Sequence, residues 1–100
     1  MRRLKILASA DASLLEALAW FKAHGSAEYA ERFMQEVLAA FRDIAERPLA
    51  WPISKHDPEI RVRHLLKLQY TVYYSATLDA VEIIDLRHMR RQPRAWRDRR

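Results

Sequence analysis

The chain has 100 residues, half of them hydrophobic, with one glycine, four prolines and no cysteine. This length allows one hydrophobic core, and the composition argues against an intrinsically disordered chain. The lack of cysteine excludes disulfides and thiolate chemistry and is compatible with a reducing compartment. We therefore expect a single domain over residues 1–100, located in the cytoplasm.

The N-terminus carries no targeting signal in our interpretation. Met1-Arg2-Arg3 and Ala8-Ser9-Ala10 faintly imitate the ends of a signal peptide, but the short apolar stretch between them is interrupted by Lys5. A secretory signal needs about 7–15 apolar residues and a membrane span roughly 18. We expect neither secretion nor a membrane partner.

Positive charge is concentrated at the C-terminal end. The formal net charge is +5, and residues 87–100 contain seven arginines and one aspartate. That segment alone carries about +6, so the preceding residues sum to about −1. Such a local arginine patch is typical of a surface that binds phosphate or an acidic protein partner.

The first half of the chain predicts a short strand and a helical hairpin. Residues 4–8 form the predicted strand, and Ser9 or Asp11 is expected to cap the first helix. Gly25 ends that helix, and Ser26 caps the next. The apolar stripe of the first helix comprises Leu14, Leu18 and Phe21, widened by Leu15 and Ala17.

The second predicted helix, residues 27–47, has the clearest periodicity. Its apolar face comprises Ala30, Phe33, Met34, Val37, Leu38, Phe41 and Ile44, and Pro48 ends it. A proline-rich loop over residues 48–58 follows. Three strand-like runs, 60–66, 69–76 and 81–88, are joined by connections short enough for an antiparallel meander. Helices segregated from strands predict an α+β fold with the helices on one sheet face.

Strand alternation predicts which side chains share a face. Arg61 and Arg63 project together, opposite Ile60 and Val62. In the second run, one face is predicted to carry Tyr70, Val72 and Tyr74, and the other Thr71, Tyr73 and Ser75. In the last run, one face is predicted to carry Val81, Ile83, Asp85 and Arg87, and the other Glu82, Ile84, Leu86 and His88. One face could therefore gather Arg61, Arg63, either Arg87 or His88, and a tyrosine hydroxyl, a set suited to a phosphodiester.

Several of these residues also have a purely structural interpretation. Strand tyrosines usually pack, as we expect Trp20 and Trp51 to do, and Asp85 is placed to pair with Arg87. Trp96 either anchors the basic tail or stacks on a base, and we favour anchoring.

His88 is the best acid–base candidate, because histidine titrates near neutral pH. The other histidines, His24, His56 and His64, lack metal-ligand spacing, so we expect no metal and no cofactor. The chain has no Gly-rich phosphate loop and no plausible nucleophile–His–Asp arrangement.

Together these elements resemble the RelE/ParE superfamily, the small basic toxins of bacterial type II toxin–antitoxin modules. The resemblance covers nearly the whole chain, including Glu31-Arg32-Phe33, Arg61-x-Arg63 and the strand Tyr70-Thr71-Val72-Tyr73-Tyr74. Its most specific part, His88-x-Arg90-Arg91-x-Pro93-x-x-Trp96, is similar to the ParE branch, often labelled plasmid-stabilisation proteins.

The resemblance implies one of two activities. RelE-like members cleave mRNA in the ribosome, with basic residues and a C-terminal Tyr or His at the scissile bond, whereas ParE-like members are associated with inhibition of DNA gyrase. Six residues after Arg90, where RelE-like enzymes place an aromatic residue, this chain has Trp96. An indole cannot shuttle a proton near neutral pH. The loop before the second strand also has a single lysine, Lys55, where RNA-cleaving relatives are richer in basic residues. In an RNA-cleaving member, His88 or a sheet tyrosine could take the place of that C-terminal residue.

We therefore expect a ParE-like toxin that binds its target and is not an enzyme, neutralised by an antitoxin whose acidic amphipathic segment lies along the helices and sheet. The expected target-binding residues are Arg61, Arg63, Arg87, Arg90, Arg91 and Trp96. One alternative is a ribosome-dependent endoribonuclease, with His88, Arg61 and Arg87 as catalytic candidates. The other is a non-toxic nucleic-acid-binding module.

Overall fold

The computed structural model describes residues 3–90. In chain order its elements are β1 (Arg3–Ile6), α1 (Ala8–His24), α2 (Ala27–Glu46), β2 (Arg61–Leu65), β3 (Tyr70–Ala76) and β4 (Ala80–His88). The α+β class, the helical hairpin and the antiparallel meander are confirmed. No helix in this part of the chain is long and apolar enough to cross a membrane.

The strands form one mixed sheet in the order β1-β4-β3-β2. The two antiparallel pairs follow the predicted tight turns, and Gln69 in the first turn has a left-handed φ of 59°. β1 adds to the other side of β4 as a parallel strand, with Leu4 opposite Val81 and Ile6 opposite Ile83. The sequence did not predict this partner, because a parallel pair needs a long crossover, here the helical hairpin, and leaves no local signal.

The helix N-termini differ in how they are capped. The expected cap of α1 by Ser9 or Asp11 is wrong, because both residues lie inside the helix and Leu7 occupies the N-cap position without a side-chain hydrogen bond. The expected cap of α2 is confirmed: Ser26 Oγ accepts the Tyr29 backbone N–H at 3.0 Å.

Two serines of α1 contact the sheet instead. Ser9 Oγ donates to the backbone carbonyl oxygen of Ile84. Ser13 Oγ donates to Asp85 Oδ1 at 2.6 Å. Both partners lie on β4 just after Ile83, the last residue that pairs with β1. These hydrogen bonds hold α1 against the part of β4 that β1 does not cover.

The main core lies between the helices and one sheet face. Its buried residues are Ala10, Leu14, Ala17, Phe33, Val37, Phe41 and Ile44 from the helices, and Val72, Tyr74, Val81, Ile83 and Leu86 from the sheet. Leu15 and Leu38, predicted to share the stripes, are 59% and 43% exposed. Each follows a core residue by one position, which rotates it about 100° around the helix and away from the sheet. A smaller cluster of Ile60, Tyr73 and Ile84 lies on the opposite sheet face.

A β-bulge in β4 changes which side chains share a face. Tyr73 pairs with Asp85, but Tyr74 pairs with Ile83, which leaves Ile84 as an additional residue. The predicted alternation of the last strand is therefore wrong after Ile83, because one inserted residue exchanges the two faces of a pattern with period two.

Candidate functional site

The bulge decides between Arg87 and His88. His88 pairs with Tyr70, and Arg87 pairs with Thr71. Leu86 has returned to the helix-packed face, so His88, two residues further, lies on that face and Arg87 on the other.

Arg87 is enclosed on that opposite face. Its side chain is 10% exposed, and its Nε donates to Asp85 Oδ2 at 2.9 Å, which confirms the expected pair. Asp85 is fully buried and also accepts hydrogen bonds from Ser13 Oγ and the Leu86 backbone N–H. A buried carboxylate needs such a set of donors to offset its lost hydration.

Arg61 and Arg63 share one sheet face, as predicted. The structure shows that it is the helix-packed face, where both arginines contact α2 or the loop after it. Arg61 Nη1 donates to the Trp51 carbonyl oxygen at 2.7 Å. Arg63 Nη1 donates to the Ala40 carbonyl oxygen at 3.1 Å and lies 3.4 Å from Asp43 Oδ2. These arginines therefore hold the loop and α2 against the sheet.

The indole of Trp51 is a packing residue, as expected, and it contacts the guanidinium groups of Arg63 and Arg47. The guanidinium carbon of Arg63 lies 4.4 Å from the ring centroid, and that of Arg47 lies 5.6 Å from it. Both distances fit cation–π contacts. We call Arg47, Trp51, Arg61, Arg63 and Tyr74 the Trp51 cluster.

Tyr74 completes this cluster from β3. Its hydroxyl donates to the Pro48 carbonyl oxygen. Burial raises the pKa of Tyr74 above its ordinary value of 10.0, and the positive charges of Arg61 and Arg63 act in the opposite direction. The phenol therefore stays protonated and can serve as a permanent donor near neutral pH.

A groove with a volume of about 840 Å³ opens at the other end of the same sheet face. It lies among α1, the start of α2, the turn between β2 and β3, and the end of β4. We call it the aromatic groove, for its ring-bearing residues Trp20, Phe21, His24, Tyr29, Tyr70 and His88. Glu16, Lys67 and Arg90 are the charged residues on its walls.

Trp20 is a surface residue of this groove. We expected Trp20 to be a packing residue, but it is 57% exposed. Its ring instead stacks on His24 with centroids 4.6 Å apart and planes 19° apart. The one-turn spacing of Trp20 and His24 was a signal for this pair, but the sequence could not show that the pair faces solvent.

His88 contributes an oriented imidazole to the groove. Its ring meets Tyr70 edge-on, with centroids 5.3 Å apart. The Arg90 backbone N–H donates to His88 Nδ1 at 3.3 Å. A neutral imidazole has one N–H, so this hydrogen bond assigns the proton to Nε2.

The structure does not bring the three catalytic candidates together. His88 lies beside Tyr70 in the groove, whereas Arg61 lies beside Tyr74, four residues along β3, a distance on the order of 13 Å. Arg87 is on the other face. Within residues 3–90, no group of three His, Cys, Asp or Glu side chains is placed to hold a metal ion.

The described part of the chain is electrically neutral. Residues 3–90 contain twelve Lys and Arg and twelve Asp and Glu, so the net charge of +5 comes from residues 1–2 and 91–100. Arg90 is exposed at the start of the basic tail. Arg91 and Trp96, which we expected to bind the target, lie outside the described residues.

Comparison with known proteins gives a consistent assignment. No curated protein matches the chain. A chain of a solved structure, "Chromosomal ParDE TA system from P. aeruginosa", matches with a TM-score of 0.79 at 15% sequence identity, over 88% of this chain and 96% of that chain. That likeness shows the fold. The family model described as "ParE toxin of type II toxin-antitoxin system, parDE" matches residues 4–93. The chain therefore belongs to the ParE toxin family of type II toxin–antitoxin systems.

Proposed function

We propose that this toxin stops bacterial growth in the cytoplasm by binding a protein target such as DNA gyrase, and that it does not cleave RNA. The observation that carries this choice is the separation of the catalytic candidates. Cleavage of a phosphodiester needs an acid–base group and a cation within reach of the same phosphate. His88 lies at one end of the sheet, Arg61 is hydrogen-bonded at the other end, and Arg87 is paired with Asp85 on the opposite face.

The target-binding surface in this proposal is centred on the C-terminal cations. Because residues 3–90 are neutral overall, the positive field arises at Arg90 and the tail after it, which includes Arg91 and Trp96. Such a field speeds encounter with an acidic protein surface. Arg61, Arg63 and Arg87 contribute mainly by holding the sheet that carries this surface, since hydrogen bonds within the domain already occupy them.

The aromatic groove is where we propose that the antitoxin binds. Exposed Trp20 and Tyr29 offer rigid apolar area, and tryptophan and tyrosine are common at the centres of protein interfaces. Lys67 and Arg90 on the groove walls suit the acidic residues of an amphipathic segment. The antitoxin would thus cover the aromatic rings and the start of the basic tail together.

Inducible expression in bacteria, followed by analysis of the arrested cells, tests the proposed target. We expect growth arrest with DNA breaks, inhibited supercoiling and intact mRNA. Arg90→Gln should reduce the arrest, whereas Arg42→Gln, an exposed arginine on α2, should not. Cut mRNA with undisturbed DNA would contradict the proposal.

One observation favours the nuclease alternative, so it needs its own test. His88 presents Nε2–H in a groove that also contains Lys67 and Arg90, a set able to act on a phosphodiester. Under our proposal His88→Gln leaves growth arrest unchanged. Loss of arrest together with loss of mRNA cleavage in this variant would favour the nuclease.

A further inference from the structure

The rings of the aromatic groove form a continuous row. On the helix side, Trp20 contacts Phe21 and Phe21 contacts Phe33, with centroids 5.4 and 4.8 Å apart. On the sheet side, Phe33 contacts Tyr70 and Tyr70 contacts His88, with centroids 5.2 and 5.3 Å apart. The row therefore connects α1 to the end of β4 without a break.

His24 holds the indole of Trp20 in place at the helix end of this row. The two rings stack with centroids 4.6 Å apart. The His24 Nδ1–H donates to the Trp20 carbonyl oxygen at 3.1 Å, because a carbonyl oxygen can only accept. The indole is still 57% exposed. An exposed ring that is fixed in this way can stack on a nucleobase, since every base has a π-face.

The sheet side of the groove supplies donors for an anion. Lys67, His88 and Arg90 line it, and His88 presents its Nε2–H there. Lys67 lies 3.8 Å from Glu36 with its side chain 89% exposed, so its ammonium can bind a second anion. Two cations and one N–H donor suit a phosphate group.

Gln69 occupies a strained backbone position on the same wall. Its φ is 59°, in the left-handed region that glycine adopts most readily. The Gln69 carbonyl oxygen accepts the Met89 N–H at 2.8 Å, which holds the turn against the end of β4. Strain of this kind is concentrated at functional sites. The exposed amide of Gln69 both donates and accepts, so it can bind the polar edge of a base.

Glu16 sets the direction in which such a ligand lies. It is the only carboxylate that the described residues bring to the groove wall, and it lies one turn before Trp20 on α1. Its negative charge directs a phosphate away from α1 and toward Lys67 and Arg90. The base then lies at the Trp20 end of the groove.

We propose that the aromatic groove binds a purine nucleoside monophosphate and leaves it intact. The base stacks on Trp20 with its edge at the Gln69 amide, and the phosphate lies among Lys67, His88 and Arg90. The volume of about 840 Å³ is in the usual range for small-molecule sites. This assignment does not depend on the target of the toxin.

NMR of the free toxin titrated with adenosine 5′-monophosphate (AMP) tests the site. We expect the indole N–H signal of Trp20 and the amide signals of Gln69 and Arg90 to shift, while the indole signal of Trp51 stays in place. Adenosine and inorganic phosphate, the two halves of the probe, should each bind at least about tenfold more weakly than AMP. The AMP should be recovered unchanged.

Three outcomes would overturn the proposal. The first is an unmoved Trp20 signal at saturating AMP. The second is equal affinity for inorganic phosphate and AMP, which would mean a non-specific anion site. The third is binding of an RNA trinucleotide by a groove that does not bind AMP, which would assign the groove to a nucleic-acid strand.

Two variants measure what the ring and the cation contribute. Trp20→Leu should weaken AMP binding by about tenfold, the loss expected for one stacked base. Leu15→Ala, at a 59% exposed position of the same helix outside the groove, is its control. Arg90→Gln should also weaken binding, whereas Arg42→Gln on α2 should not. Unchanged AMP affinity in the folded Trp20→Leu variant would contradict the stacking.

Gln69→Gly separates binding by the side chain from strain in the turn. Glycine accepts the left-handed φ, so the urea midpoint should not fall. The loss of the amide should nevertheless weaken AMP binding by several-fold. Unchanged affinity in this variant would remove Gln69 from the site.

The antitoxin and AMP should exclude each other, and only this part of the inference rests on the proposed function. In the complex with the antitoxin encoded beside the toxin gene, AMP should no longer shift the Trp20 signal. A shift that persists in the complex would place the antitoxin elsewhere and leave the nucleotide site standing. Absence of AMP binding to free toxin that still binds its antitoxin would overturn the nucleotide site alone.

Discussion

The Trp51 cluster and the aromatic groove lie at two ends of one sheet face and contain the same kinds of side chain. Each has a tryptophan, a strand tyrosine and cations. In the cluster, Arg63 lies 4.4 Å from the Trp51 ring centroid, and Tyr74 donates to a loop carbonyl. In the groove, Trp20 is 57% exposed. The side chains of the Trp51 cluster hold the loop after α2 against the sheet, whereas those of the aromatic groove are accessible to a partner.

This difference shows that residue type is a poor guide to an arginine's role. Arg61, Arg63, Arg87 and Arg90 were grouped from their charge and spacing alone. Three of them donate to groups within the domain, and Arg90 is exposed at the groove. The surroundings of each guanidinium distinguish an arginine that stabilises the fold from one available for binding.

The largest expected contrast is between the two tryptophans. Trp51→Ala should lower the free energy of unfolding by about 3 kcal/mol, because it leaves a cavity and removes two cation–π contacts. Trp20→Ala should cost less than about 1 kcal/mol but weaken antitoxin binding. Urea unfolding and binding titration measure both effects. Equal loss of stability in the two variants would remove the distinction.

Replacing Tyr74 by phenylalanine should have a smaller effect. Tyr74→Phe leaves the Pro48 carbonyl oxygen without its donor and should cost about 1–2 kcal/mol. Tyr29→Phe in the groove, where the side chain is 46% exposed, is the control and should cost less than about 0.5 kcal/mol.

The Tyr74→Phe variant also has a pH signature. The pKa of Tyr74 is raised above 10.0 in the folded protein. Its contribution to stability is therefore complete below that pH. That contribution is lost as the pH rises through the pKa of Tyr74 in the folded protein, because the phenol of the unfolded chain loses its proton at a lower pH. Tyr74→Phe should flatten this alkaline fall in the free energy of unfolding, which urea unfolding at a series of pH values measures.

The arginines provide a third contrast, on the order of 1 kcal/mol. Arg63→Gln should destabilise the fold by about that amount, since it weakens contacts with Trp51, Ala40 and Asp43. Arg90→Gln should leave the unfolding midpoint unchanged and reduce growth arrest. If Arg63→Gln reduced growth arrest without destabilising the fold, and Arg90→Gln did not reduce it, the functional arginine would lie in the Trp51 cluster.

The smallest effect is expected at Lys67. Its ammonium lies 3.8 Å from Glu36 Oε1, with the lysine side chain 89% exposed. Such a surface pair contributes little, so Lys67→Ala should change the free energy of unfolding by less than about 0.5 kcal/mol. Because Lys67 lies on the groove wall, the variant should still weaken binding of an acidic antitoxin, more so at low salt.

Much of the fold could be predicted because its signals are local. The stripe through Phe33, Val37 and Ile44 specified α2, and Ser26 marked its start. The tight connections specified the meander. Leu15 and Leu38 were misassigned, because a helical stripe in the sequence does not show how much of the helix surface the sheet covers.

The candidate site was predicted less well, because it depends on contacts between distant residues. The single additional residue at Ile84 exchanged the sheet faces on which Arg87 and His88 lie, and nothing in the local sequence marked it. The groove escaped prediction because Trp20 and Tyr70 come from separate elements that meet only when the hairpin packs on the sheet.

By itself, the sequence determined the element types, the helical hairpin, the meander and the location of the net charge, since each depends on periodicity or composition over short stretches. The tertiary structure decided that β1 joins β4, that Arg61 and Arg63 bind the loop, and that Trp20 faces solvent. These features depend on which surfaces remain after the elements pack, and packing is a relation between residues far apart in the chain.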